Sequence, residues 1–365
     1  EMYGDYSKWE NIVGTGPYIL TDFVAGSATT FTRNPNYWMN DPLNPENQLP
    51  YMDGINRLDI ADLSTQQAAF RTGKLDILFN VSSEDFEIFL KMRPDLQYLE
   101  AWEQLPNMVT GRVDDPELPW YDVNVRRAMN MAVDQQRILD EYYEGHGTIL
   151  AYPFLPDKSY GQWYKPLEEM PEAVQELFSY NPEKAKQLLA DAGYPNGFQT
   201  KINLSFQQVD LISIVVADLA KVGIDVTMEP LETGNLMRIV KGRRHTDQLV
   251  MAMTYPHALW KMHNMRSESA GNPSFWESPQ TREAYNNVLA ALGKDDEALM
   301  NALQSVSAHV LEESWGIWLP ARSIFNMWQP WIQNFNGEVN WGSSLGFTFR
   351  QYIWLDTELK DSLGY

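Results

Sequence analysis

The chain has 365 residues, a length that predicts two or three domains. Its 28 Lys and Arg face 49 Asp and Glu, a formal net charge of −21. That balance argues against a nucleic-acid partner, whose phosphates require a basic face, and against an anionic membrane surface. With 44% hydrophobic and 13% aromatic residues the chain is no disordered acidic tail. Cysteine is absent, which excludes thiol catalysis, disulfides and Cys-ligated zinc. No apolar run reaches the ~18–20 residues of a membrane span. No signal peptide opens the chain, and its first residues, EMYGDYSKWENIVG, read as text from inside a longer protein.

In chain order, GPYILTDFVAGSATTFTRN predicts two strands turning near Gly26. A strand over 55–61 follows, then a helix opened by a capping box of Ser64 and Gln67 and stopped at Gly73. Leu75 to Phe79 is the next strand, which predicts a βαβ unit. The segment from Leu105 to Trp120 holds three prolines and the Asp114-Asp115 pair, and reads as a crossing between two α/β regions.

The middle of the chain repeats the alternation more clearly. Asn181-Pro182-Glu183 is an N-cap, an N1 proline and an early acid, and Gly193 closes that helix. Ile202, Leu204 and Phe206 alternate as a strand, and Leu211, Ile214, Val215, Leu219 and Val222 form a helical stripe. Ile224, Val226 and Met228 alternate again, a helix covers 235–241, and Leu249 to Met253 is a further strand. This βαβαβ order predicts a parallel sheet with crossover helices. Asp295 caps one long helix to about Ser314, with Leu299, Leu303, Val306 and Val310 inward, and the Trp-rich last fifty residues read as strand and loop.

Reactive chemistry is hard to find. Gly14-Thr15-Gly16 precedes a proline and a strand, whereas a phosphate loop needs a helix N-terminus. Of His146, His245, His257, His263 and His309, only His257 and His263 are close, and a spacing of six fits no usual metal pattern. No G-x-S-x-G elbow is present. With 49 acids, two of them lying near each other carries no information about a glycosidase pair. We therefore expect no enzyme, no cofactor and no metal. Most of the 13 tryptophans are expected in the core. Tyr255, Trp260 and Trp276 stand out as loop aromatics able to stack on a ligand, and the loop over 254–265 is preferred because it follows the carboxyl end of a predicted parallel strand, where open α/β sheets bind ligands.

Several stretches, taken in order, resemble one family, the extracellular solute-binding proteins of family 5, the peptide/nickel-type receptors of ABC importers. They are VGTGPY at 13–18, RNPNYW at 33–38, PYMD at 50–53 and QAAFRTGKLD at 67–76. DVNVRRAMNMAVD at 122–134, NPEKA at 181–185, AGYP at 192–195 and DLAKVGI at 218–224 follow. The resemblance implies a type II periplasmic-binding-protein fold, a Venus flytrap of two α/β lobes with mixed and parallel sheets. Residues 1–105 would form lobe I, 106–320 lobe II, and 321–365 the return to lobe I. It implies a receptor that captures a peptide or other small organic solute in an interlobe cleft by hinge closure, beside ABC permease subunits, in an extracellular or periplasmic location. It further implies that lobe I lacks the family's N-terminal portion, so that either the chain is a fragment or a second chain supplies the rest. A lipidated cysteine in that portion would anchor the protein to a membrane.

Peptide-binding relatives carry an aromatic residue and then an aspartate just beyond the strand equivalent to 249–253, the acid pairing with a peptide amine. Here Met253 stands for the aromatic and Pro256 for the acid. The candidate ligand residues are therefore Met253, Tyr255, His257, Trp260 and Trp276, a set suited to stacking and neutral hydrogen bonds. Two other readings stay open: a secreted glycan-acting hydrolase, and a non-transport scaffold subunit that keeps the lobe fold.

Overall fold

The structure, a computed structural model, describes residues 8–103, 106–156, 163–253, 258–337 and 348–365. It divides into two compact units, Glu1–Ala101 with Ile324–Tyr365, and Trp102–Ser323. The chain passes between them within the strands Gln97–Trp102 and Ala321–Trp328.

The second unit is built on a five-stranded mixed sheet. Its order is Gly316–Trp318, Asn107–Thr110, Leu249–Met253, Phe198–Ser205 and Ile224–Leu231. Phe198–Ser205 runs parallel to both Ile224–Leu231 and Leu249–Met253, with the helices Val209–Lys221 and Thr233–Lys241 as the intervening connections. The predicted βαβαβ order is thus present. It is extended by two antiparallel partners, since Asn107–Thr110 pairs with Leu249–Met253 on one side and Gly316–Trp318 on the other. The segment that reads as a linker in sequence therefore supplies a sheet strand. Four residues close to prolines are too few to show a period, yet Met108, Val109 and Thr110 are buried.

One apolar core fills this unit, from Val125, Ala128 and Met129 of the helix Val123–Ala132 to Ile202, Leu204, Val215, Leu219, Val250 and Met251. Two glycines fix where the parallel pair begins. Gly197 and Gly223 both have positive φ (72° and 88°), and a Cβ on Gly197 would fall 1.9 Å from the Gly223 carbonyl oxygen. The helix cap Asn181 accepts from the Lys184 amide, as the sequence predicts. The long helix predicted after Asp295 is two helices, Asp296–Ser305 and Ser307–Glu312, broken at Val306. Its inward residues Leu303, Val306 and Val310 remain buried.

Among its described residues the first unit has two larger sheets and a short pair, Ile332–Gln333 with Trp354–Leu355. Tyr18–Val24 and Ala28–Arg33 pair antiparallel around Gly26, and Gly54–Leu58 joins the second of them. A separate sheet has the order Ile77–Val81, Ala321–Trp328 and Gln97–Trp102. The predicted first βαβ unit is therefore absent: the strands before and after the helix Leu63–Arg71 belong to different sheets. The predicted cap also moves. Asp62, not Ser64, is the N-cap, because its carboxylate accepts from both the backbone amide and the hydroxyl of Thr65. A charged acceptor two residues earlier starts the helix sooner. Gly73 does end it, at φ 69°.

The family-like stretches of this unit serve as ties. Asn34 donates to the Gly16 carbonyl at 2.8 Å, Arg33 meets Asp53 at 3.1 Å, and Tyr37 donates to Gln351 at 2.7 Å. Trp328, Trp331, Phe335, Phe349 and Ile353 make a small aromatic core, with the Trp331 indole donating to Asp76.

Candidate functional site at the carboxyl edge of the mixed sheet

Three parallel strands of the second unit end at one edge, at Ser205, Leu231 and Met253. Ligands bind at such edges because the backbone leaves the sheet there and loops gather. Asn107 pairs with Met253 in register and joins that edge from the antiparallel strand. Gln208 stitches the edge together: its amide donates to Asn107 at 2.9 Å, and its oxygen accepts from the Ser205 amide and hydroxyl. Phe206, read in sequence as the last alternating residue of a strand, lies just past the strand and is 58% exposed. Asn107, Phe206 and Gln208 were not among the residues singled out from sequence. The signal available was the polar, turn-forming Ser205–Gln208 run after an apolar strand.

Of the five predicted ligand residues, Met253 ends its strand at this edge; its side chain, and the whole of Tyr255 and His257, lie outside the described residues. Trp260 is on the short helix Ala258–His263 and 45% exposed, with its ring edge-on to His263 at 5.5 Å. Trp276 is 7% exposed. Its ring stacks on Trp315 at 6.1 Å and meets His309 at 5.8 Å, inside the core of the unit. The loop before it is held by its own polar groups. Asn272 donates to the Trp276 carbonyl at 2.7 Å, and its side-chain oxygen accepts from the Ser274 hydroxyl. The structure thus leaves Trp260 open at the surface and encloses Trp276.

Charge around this region is balanced by pairs. Arg282 bridges Glu268 and Glu277, and its hydrogen bonds hold the Glu268 carboxyl down at about 2. The His263 ring is pushed below its ordinary value by burial and then by neighbouring Arg266. Lys261, one residue beyond Trp260, is 2% exposed, and burial alone pushes its amine down to about 7. No group of three or more His, Asp or Glu suited to a metal occurs among the described residues.

A sheet edge with polar turns, an exposed ring and an enclosed amine suits the capture of a small solute. Comparison with known proteins agrees. Residues 3–273 match the bacterial extracellular solute-binding proteins, family 5 Middle, and the chain belongs to this family. Heme-binding protein A of Haemophilus influenzae is 26% identical over 332 residues, 88% of this chain and 54% of that protein. Glutathione-binding protein GsiB of Escherichia coli K12 is 24% identical over 324 residues, 88% of this chain and 58% of that protein. The chain therefore spans little more than half the length of these relatives.

Solved structures share the fold. The periplasmic binding protein AgaA of A. tumefaciens R10 with agropinic acid has a TM-score of 0.74 at 20% identity, covering 93% of this chain and 67% of that one. DppA of Helicobacter pylori with the peptide STSA has a TM-score of 0.72 at 20% identity, covering 93% and 63%. The α/β, two-lobed periplasmic-binding-protein fold class is thereby established. Family 5 proteins are extracellular or periplasmic binding receptors, not enzymes. No helix among the described residues is long and apolar enough to cross a membrane.

Proposed function

We propose that this protein is a substrate-binding receptor of an ABC-type importer that captures a peptide or other small organic solute and performs no reaction on it. The observation that carries this is the family match across residues 3–273, which includes the whole parallel-strand edge of the second unit. Relatives and neighbours support the substrate class: by name they bind heme or glutathione, and in solved structures they hold STSA or agropinic acid. All are organic solutes. The permease as partner, capture by hinge closure, and the assignment of residues 106–320 to the second lobe belong to the same proposal. So does a lipid anchor attached through a cysteine upstream of this sequence.

Within it, the ligand contacts are assigned to Met253, Tyr255, His257 and Trp260, joined by Phe206 at the same sheet edge. Trp276 backs this set from the core. A glycan-acting hydrolase is not favoured, since the family is one of receptors.

A thermal-shift screen of the purified protein against short peptides, glutathione, opines, saccharides and heme tests the reading. At least one solute should raise the melting temperature in a saturable way, and Trp260→Ala should weaken that response. If no solute shifts the transition while the protein unfolds cooperatively, the receptor reading falls.

A further inference from the structure

We propose that Lys261 is the specificity residue through which this receptor selects a carboxylate-bearing solute. The inference rests on the receptor reading above and narrows it to one ligand chemistry. Lysine is almost never fully buried unless paired. Lys261 is 2% exposed, and its Nζ has no hydrogen-bond partner and no ion pair among the described residues. Its neighbour is the ring of Tyr152, 5.4 Å from Nζ to the centroid. That ring stacks on Trp318 at 4.2 Å and meets Trp315 edge-on at 5.5 Å, and the two indoles contact each other at 4.8 Å.

The unsatisfied polar atoms of this cluster share one character. Trp315 Nε1 and Trp318 Nε1 are buried and, like Lys261 Nζ, have no acceptor among the described residues. Three unsatisfied groups around one tyrosine are all donors. A buried donor without an acceptor costs free energy, and an ammonium without a counter-charge costs more. A methionine would fill the same volume without that cost. What would satisfy the set is an acceptor carrying negative charge, and a carboxylate offers two oxygens with about four acceptor positions.

The cluster lies where a solute would be held. Trp318 and Ala252 both pair with Met108, next in register to the Met253 and Asn107 pair that ends the sheet. Lys261 is on the helix that follows Met253, beside the exposed Trp260. Trp318 therefore sits one position inside the carboxyl edge, with Tyr152 stacked on it and Lys261 against the tyrosine ring, while Trp315 precedes the first residue of the same strand at its other end. Burial lowers the amine's affinity for its proton, to a value of about 7. An arriving carboxylate would stabilise the ammonium, and the two would form a charge-assisted pair shielded from water.

The test compares glutathione and the dipeptide Met-Leu with their carboxyl-amidated forms, by calorimetric titration into the purified protein and its Lys261→Met variant. Lys261→Met should fold with an unchanged or higher melting temperature, which a circular dichroism melt checks. The proposal expects an acid to bind at least about tenfold more tightly than its amide, and that ratio to fall to about one in Lys261→Met. Equal binding of acid and amide, or a preference kept in Lys261→Met, overturns it and leaves the receptor reading intact. Failure of these probes and of the wider solute screen to bind overturns both.

Discussion

Asp218 looks like an interruption in the apolar stripe of the helix Val209–Lys221, but its carboxylate ties three separate groups together. It is fully buried, and it accepts from Arg137 at 2.6 Å, Lys221 at 2.8 Å and the Asp134 amide at 3.0 Å. Two of the family-like stretches, the one ending at Asp134 and the one beginning at Asp218, meet through this side chain. Replacing Asp218 by Ala leaves a half-buried amide and two cations without their acceptor. A loss of about 3 kcal/mol is expected, seen as a lower denaturant midpoint at unchanged slope. Arg126 plays a similar part. It donates to the carbonyls of Trp120, Tyr121 and Glu313, and desolvation lowers its pKa to about 10. Lys261 differs from both in having no acceptor among the described residues. Its folded value near 7 lies below the ordinary 10.5, so the unfolded chain binds the extra proton between those values. Its contribution to stability should therefore rise as pH increases from about 7 to 10.5. Parallel denaturation series across that window should show the rise in the native protein, with the Lys261 part missing in Lys261→Met.

At the scale of elements, local signals were legible where one side chain decides the outcome alone. Asn181, Asp295 and Gly193 cap or stop helices where the sequence predicts, because each acts on backbone groups within a turn of itself. The helix Leu63–Arg71 shows the limit of that reasoning. Both Asp62 and Ser64 are capping residues by type, and only the backbone path shows that Asp62 reaches Thr65. Asp62→Ala should lower the melting temperature, whereas Ser64→Ala should leave it nearly unchanged, as read from paired melts. Strand partners were harder to read. The alternation at 55–61 and 75–79 finds real strands, Gly54–Leu58 and Ile77–Val81, but places them in one βαβ unit when they join different sheets. Asn107–Thr110 was missed altogether, since a four-residue strand becomes recognisable only through its two neighbours. The site follows the same pattern. Trp260 and the strand ending at Met253 could be found from sequence, whereas Phe206 and Gln208 needed the strand's actual end at Ser205.

At the scale of the molecule, the second unit has its own continuous core and a complete sheet. Residues 102–323 produced as a separate chain should therefore fold, with a single cooperative transition and protected amides in Phe198–Ser205 and Leu249–Met253. Failure to give a cooperative melt would show that its core is not self-sufficient.

The sequence by itself determined the acidic, cysteine-free character of the chain, the alternation of strands and helices in its middle, and the ordered motifs that mark its family. Those are properties of composition, short-range period and single capping residues, all of which act within a few residues. Only the tertiary structure decided which strands pair, that Trp276 is enclosed while Trp260 is open, and that Lys261 lies against the Tyr152 ring with no acceptor among the described residues. Each of those depends on residues far apart in the chain, such as Tyr152, Lys261 and Trp318, which folding brings together and local pattern cannot.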